Sequence, residues 1–159
     1  MQQYTWIFSL LTPVGTSTAE QMTQAFEAFQ AQWKTHGTPV QGLIKLHHNQ
    51  FVVIQAKNDD SRPSGCSIDS LRRAVTSILE QHRLPWAEGG EIFFRNASGD
   101  IQMVHFQQIK ALVADGTLNE DSIVFDHSLS NSDDLSLWEV PLADTWMKRF
   151  LPSETKQKV

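Results

Sequence analysis

The sequence predicts an α+β fold: a ferredoxin-like or similar antiparallel α/β sandwich followed by a small C-terminal β-β-α-β module. Three observations predict it. Two segments repeat apolar residues at the spacing of one helix face, with Met22, Phe26, Phe29 and Trp33 in the first and Ile68, Leu71, Val75, Ile78 and Leu79 in the second. Short runs of branched and aromatic residues, bounded by turn formers, lie between and after them. The order up to Arg95 is strand-helix-strand-strand-helix-strand, the split arrangement that lays helices on one face of an antiparallel sheet. The 159 residues suffice for one domain or two subdomains around a shared core. We expect an N-terminal subdomain over 1–86, a module over 91–151 and a flexible tail over 152–159.

The elements follow in order. Tyr4 to Leu11 reads as a buried strand that Pro13 and Gly15 end. Ser17 with Glu20 three residues on is a capping-box pattern for the first helix. Gly37 is placed to end that helix in a left-handed conformation, and Pro39 prevents its continuation. Val40–His47 and Phe51–Ala56 read as a hairpin around His48-Asn49-Gln50, and a polar loop runs from Lys57 to Gly65. The second helix ends near His82, with a break at Pro85 and Gly89-Gly90. Glu91–Arg95 and Ile101–Phe106 form another hairpin, Gln107–Ala114 a short helix capped by Gly116, and Ser122–Phe125 a last strand. Pro141 is placed to start a terminal helix carrying Trp146 and Phe150.

Composition bounds the function. Hydrophobic residues make up 40% and charged residues 19%, which fits a globular chain. The net charge of -5 is spread among interspersed acids and bases, so no basic stripe offers itself to phosphates, and we expect no nucleic-acid partner. No apolar run is long enough to cross a bilayer, and we expect no membrane partner. One cysteine cannot make an internal disulfide, and no basic region precedes the first apolar run, so the expected location is the cytoplasm. No nucleotide-binding glycine motif, zinc-ligand spacing or nucleophile elbow occurs, and we expect neither cofactor nor metal. His47 and His48, adjacent on a strand, are expected to point to opposite faces.

One segment carries a candidate chemistry. Ser64-Gly65-Cys66-Ser67-Ile68-Asp69 links a strand to a helix, and its small residues permit a sharp turn. The unpaired N–H groups of a first helical turn favour a thiolate at Cys66. A helix end contributes ~0.3–1 kcal/mol, or about 2 when partly buried. That lowers a thiol pKa of about 8.5 by only about one unit. Asp69 in the same turn opposes the shift, so a nucleophile there needs a base as well. His36, at the helix end Trp33-Lys34-Thr35-His36-Gly37, is the first candidate among six histidines. The bland alternative makes Cys66 a packing residue and His36 a helix C-cap. Cys66 and Arg72 share the C-x5-R spacing of tyrosine-phosphatase loops, but Gly65 stands where histidine is expected and Arg73 where serine or threonine is.

Over nearly its whole length the chain resembles a family of small bacterial proteins. The resemblance rests on Tyr4-Thr5-Trp6-Ile7-Phe8, Trp33-x-x-His36-Gly37, the Phe51 strand, Ser64 to Asp69, and the Trp138 to Phe150 segment. Members have been labelled ABC-transporter ATPases, yet the phosphate-binding motifs of such enzymes do not occur here. From Glu91 to Trp146 the pattern Ile109-x-x-Leu112-x-x-x-Gly116-x-Leu118-x-x-Asp121-Ser122-x-Val124-Phe125, followed by Trp138, is similar to the GYF-like bacterial module. The resemblance implies a strand-strand-helix-strand core, and GYF domains proper bind proline-rich peptides through aromatic residues. Here Val104-His105 replaces their glycine-proline pair.

Two functions follow as expectations. The first is a non-catalytic interaction or adaptor protein whose partner is another protein or peptide. Its binding residues are Trp138 and Trp146, with Trp33, Gly37, Ser64, Gly65 and Ser67 around the two family motifs. The second is a thiol-dependent enzyme or redox sensor with Cys66, His36 and Asp69 at its centre. The sequence carries no indication of oligomeric state.

Overall fold

The computed structural model describes residues 2–35, 38–39, 41–58, 65–127 and 138–153, and for 2–4, 34–35, 38–39, 41, 57–58 and 65–68 it describes the backbone alone. The fold is α+β, with helices accompanying two antiparallel sheets. The chain divides into two units, Met1–Ala87 and Glu88–Val159.

The first unit contains β1 (Gln2–Ser9), α1 (Thr16–Gln30), the two-residue strands β2 (Lys34–Thr35) and β3 (Thr38–Pro39), β4 (Gln41–His47), β5 (Phe51–Asn58) and α2 (Gly65–Gln81). Its sheet has the order β1-β5-β4, antiparallel throughout, so β5 lies between two strands that run the same way. Register puts Trp6, Ile54 and Ile44 in one row and Phe8, Val52 and Leu46 in the next. These rows meet Met22 and Phe26 of α1 and Leu71, Val75 and Leu79 of α2 in one core. Each such side chain taken fully out of water contributes about 1.5–3 kcal/mol.

The fourth strand expected for this sandwich, Glu91–Arg95, is not in it. Beside the end of β1 the chain makes a single bridge, Leu10 with Trp86, flanked by hydrogen bonds from Leu11 N to Pro85 O (3.0 Å) and from Ala87 N to Ser9 O (2.7 Å). Pairing stops there for local reasons. Pro85 has no N–H, and Gly89 and Gly90 take φ of 132° and 87°, outside any strand conformation.

Other boundaries also differ from expectation. Gly15, with extended backbone, is the N-cap of α1 and offers no side-chain cap, so Ser17 and Glu20 fall inside the helix and form no capping box. The helix stops at Gln30, and Trp33 follows it after a turn. The side-chain amide of Gln30 then bonds the backbone of β4 twice, donating to Gly42 O and accepting from Ile44 N. Gln50, at the β4–β5 turn, holds Leu10 with one side-chain and one backbone bond: its Nε2 donates to Leu10 O (3.0 Å) and its backbone carbonyl accepts from Leu10 N (2.8 Å).

The second unit contains β6 (Glu91–Arg95), β7 (Ile101–His105), α3 (Ile109–Ala114), β8 (Ile123–Phe125) and β9 (Glu139–Pro141). The sheet order is β7-β6-β8-β9, antiparallel. Phe94, Ile109, Leu118, Val124, Leu142 and Met147 form its core. A 3-10 turn, Phe106–Gln108, precedes α3, and Gly116 at φ 85° follows its end. β9 was not anticipated. Pro141 does not start a terminal α-helix: it closes β9, where an edge strand tolerates the missing N–H, and caps a 3-10 turn over Leu142–Asp144. A second 3-10 turn covers Trp146–Phe150. Among the described residues no helix is long and apolar enough to cross a membrane.

Candidate functional site

The segment around Cys66 is helix rather than loop. α2 begins at Gly65, so Cys66 and Ser67 occupy its first turn. Asp69 is exposed one turn in, and its carbonyl accepts a hydrogen bond from Arg73 Nε at 3.4 Å. The first turn contains no acidic residue, so Asp69 is not where the sequence put it. His36, Gly37 and Ser64 lie outside the described residues, and of Cys66 only the backbone is described. Arg72, the candidate phosphate ligand, is exposed on α2.

Four other histidines make contacts of their own. His47 and His48 do not point to opposite faces: their ring centroids are 3.9 Å apart. His48 has φ 53°, a left-handed turn conformation that swings its ring back beside its neighbour. His105 caps the 3-10 turn before α3, with Nδ1 accepting from Gln107 N (3.2 Å) while the His105 backbone N–H donates to Gln108 Oε1 (3.0 Å). His127 lies 6.1 Å from the Phe93 ring and 5.9 Å from the Trp138 ring, centroid to centroid. Burial pushes its pKa down to about 4, against a small opposing pull from Asp126.

The tryptophans separate clearly. Trp33 is 3% exposed and packs in the first unit's core, its ring 6.2 Å from that of Phe29. A Cβ at Gly42 would sit 3.0 Å from the Trp33 ring, so glycine lets the indole lie against β4. Trp138 is completely buried and meets His127 edge-on. Neither is available as a surface anchor, which corrects the binding role expected of them. Trp146, by contrast, is 44% exposed.

The surroundings of Trp146 are ordered by its 3-10 turn. Thr145 is the N-cap: its hydroxyl accepts from Met147 N (3.1 Å) and donates to Leu142 O (2.8 Å). Met147, 1% exposed, anchors the turn in the core. Side chains three apart eclipse in a 3-10 helix, so Arg149 falls beside Trp146. Its guanidinium carbon lies 5.1 Å from the Trp146 ring and 5.0 Å from the Phe150 ring, and the two rings meet edge-on at 6.1 Å. The result is a patch in which the exposed Trp146 ring and the half-buried Phe150 ring share one cation lying over both. The sequence signal for it, Trp146-x-x-Arg149-Phe150, is legible only if the segment is known to be 3-10.

A cleft of about 750 Å³, lined by Arg95, Asn96, Gly99, Thr117, Asn119 and Asp121 among others, was also not anticipated. Several of its polar groups are held by the turns that form it. Asn96 Oδ1 accepts from Ser98 N and Asp100 N, Asn119 Oδ1 accepts from Asp121 N, and Arg95 bonds Glu139 and Gly99 O.

No family model matches the chain, and neither does any curated protein or solved structure.

Proposed function

We propose that this is a non-catalytic, cytoplasmic interaction protein whose second unit binds a peptide segment of a partner protein on the Trp146–Arg149–Phe150 surface. The observation that carries this reading is the exposure of Trp146 while Trp33 and Trp138 are buried, with Arg149 seated against both rings of the patch. Tryptophan, arginine and phenylalanine are the residues that protein interfaces concentrate, and tryptophan and arginine carry much of their energy. The patch is also held in place before any partner arrives. Met147 and the Thr145 cap fix the turn, which lowers the ordering cost of binding. A peptide with an apolar residue to cover the Trp146 ring and a carboxylate for Arg149 or the exposed Lys148 fits this chemistry.

The test is peptide display against the full chain, followed by titration of the selected peptides. Trp146→Ala is expected to weaken binding by about 2 kcal/mol or more, the range of interface hot spots, with an unchanged circular dichroism spectrum. Selected peptides that bind Trp146→Ala and the wild type equally would show that the reading is wrong.

A further inference from the structure

We propose that the outer edge of β7 pairs with the β7 edge of a second copy of this chain, giving a weak twofold dimer centred on Met103. β7 is the terminal strand of the second unit's sheet. The direction of its backbone groups follows from two hydrogen bonds at its ends. Phe106 N donates to Gly90 O and Asp100 O accepts from Asn96 N, so even-numbered residues turn toward β6. Ile101, Met103 and His105 therefore direct their N–H and C=O groups away from the sheet. Gln108 Oε1 takes the His105 N–H. Both groups of Ile101 and Met103 remain as unused donors and acceptors among the described residues, while the His105 carbonyl accepts the first bond of the 3-10 turn and keeps one lone pair.

Two other edges, those of β4 and β9, carry protection that β7 lacks. Gln30 occupies the edge of β4 with its amide, and β9 has Pro141 and the charged Glu139. On β7 the side chains add to the attraction. Met103 is 37% exposed and Phe106, just beyond it, 39%.

A second copy is the occupant that the edge fits. Antiparallel pairing with Met103 opposite its own equivalent makes a hydrogen-bonded pair of those two residues, exchanging two bonds. Ile101 then faces the partner's His105, and each Ile101 N–H reaches the remaining lone pair of a His105 carbonyl. The ladder stops there because Gln108 already holds the His105 N–H. Charge points the same way. The chain has a net charge of -5, yet no acidic or basic residue occurs between Asp100 and Lys110, so two copies meet on this edge without opposing like charges. A twofold axis needs such a self-complementary patch. The strand is short, which places the dimer in the transient class of interfaces.

The experiment is sedimentation equilibrium of the full chain over a range of concentrations, with amide hydrogen exchange read at the same concentrations. The weight-average mass is expected to rise toward twice 18.0 kDa, and exchange at Ile101 and Met103 to slow in step with it. Met103→Lys puts two cations opposite each other across the axis, and Met103→Pro removes an N–H that β6 does not use; each is expected to weaken association at least about tenfold. A wild type that stays monomeric, a dimer with unaltered exchange at those two amides, or variants that associate as the wild type does would each overturn the proposal. The exchange measurement on the wild type decides the matter even if a variant fails to fold.

Discussion

Acid should destabilise the second unit through His127. Its imidazole is held near pKa 4 in the folded chain by burial beside Phe93 and Trp138, against an ordinary value of 6.5. In the unfolded chain it takes up a proton at that ordinary value. Between the two values the unfolded state binds more protons, so stability is fully present above pH 6.5 and falls as pH drops toward 4. The full displacement corresponds to about 3 kcal/mol, a large share of a typical unfolding free energy of roughly 5–15 kcal/mol. Denaturant unfolding, followed by tryptophan fluorescence at intervals from pH 7 to 4.5, measures this. Carboxylates add their own slope at the acid end, so the comparison that matters is with His127→Gln, which cannot titrate. The wild type is expected to lose stability faster than the variant between pH 6.5 and 5. Parallel profiles, or a His127 ring proton that titrates in the folded protein near the ordinary imidazole value, would refute the reasoning.

Two further substitutions probe the frame. Gln30→Ala leaves Gly42 O and Ile44 N of β4 without their partner and is expected to cost about 1–3 kcal/mol, with faster exchange of the Ile44 amide; no change in that amide would mean that the bonds do not matter. Gly90→Ala places a Cβ 2.8 Å from His105 Nε2 at a backbone φ of 87°, and is expected to cost about 1–3 kcal/mol and to loosen the turn before α3, read as a lower melting temperature.

The parts of the fold that rest on long periodic patterns were legible. Met22 with Phe26, and Leu71, Val75 and Leu79, are buried helix positions, as their spacing implies. Short-range signals were less secure because tertiary structure can overrule them. Ser17 and Glu20 had the right spacing for a cap, but the helix starts one residue before Ser17. β9 has three residues, one a proline, which leaves no alternation to read. His47 and His48 share a side because one residue leaves the extended region, which pattern reading does not see. The candidate surface shows the same limit. Trp33, Trp138 and Trp146 are alike as letters, and only packing decides that one of them meets solvent.

The single bridge between Leu10 and Trp86 has a mechanical consequence. The last residue of the first unit, Ala87, is fastened by its N–H to Ser9, and Leu11 is fastened to Pro85. Tension arriving along the chain from Glu88 therefore loads this short clasp at the end of β1 before it can reach α2. The clasp acts as a fuse: while it holds, force is carried by the sheet, and the helix that begins at Gly65 and bears Cys66 is spared unwinding from its C-terminal end.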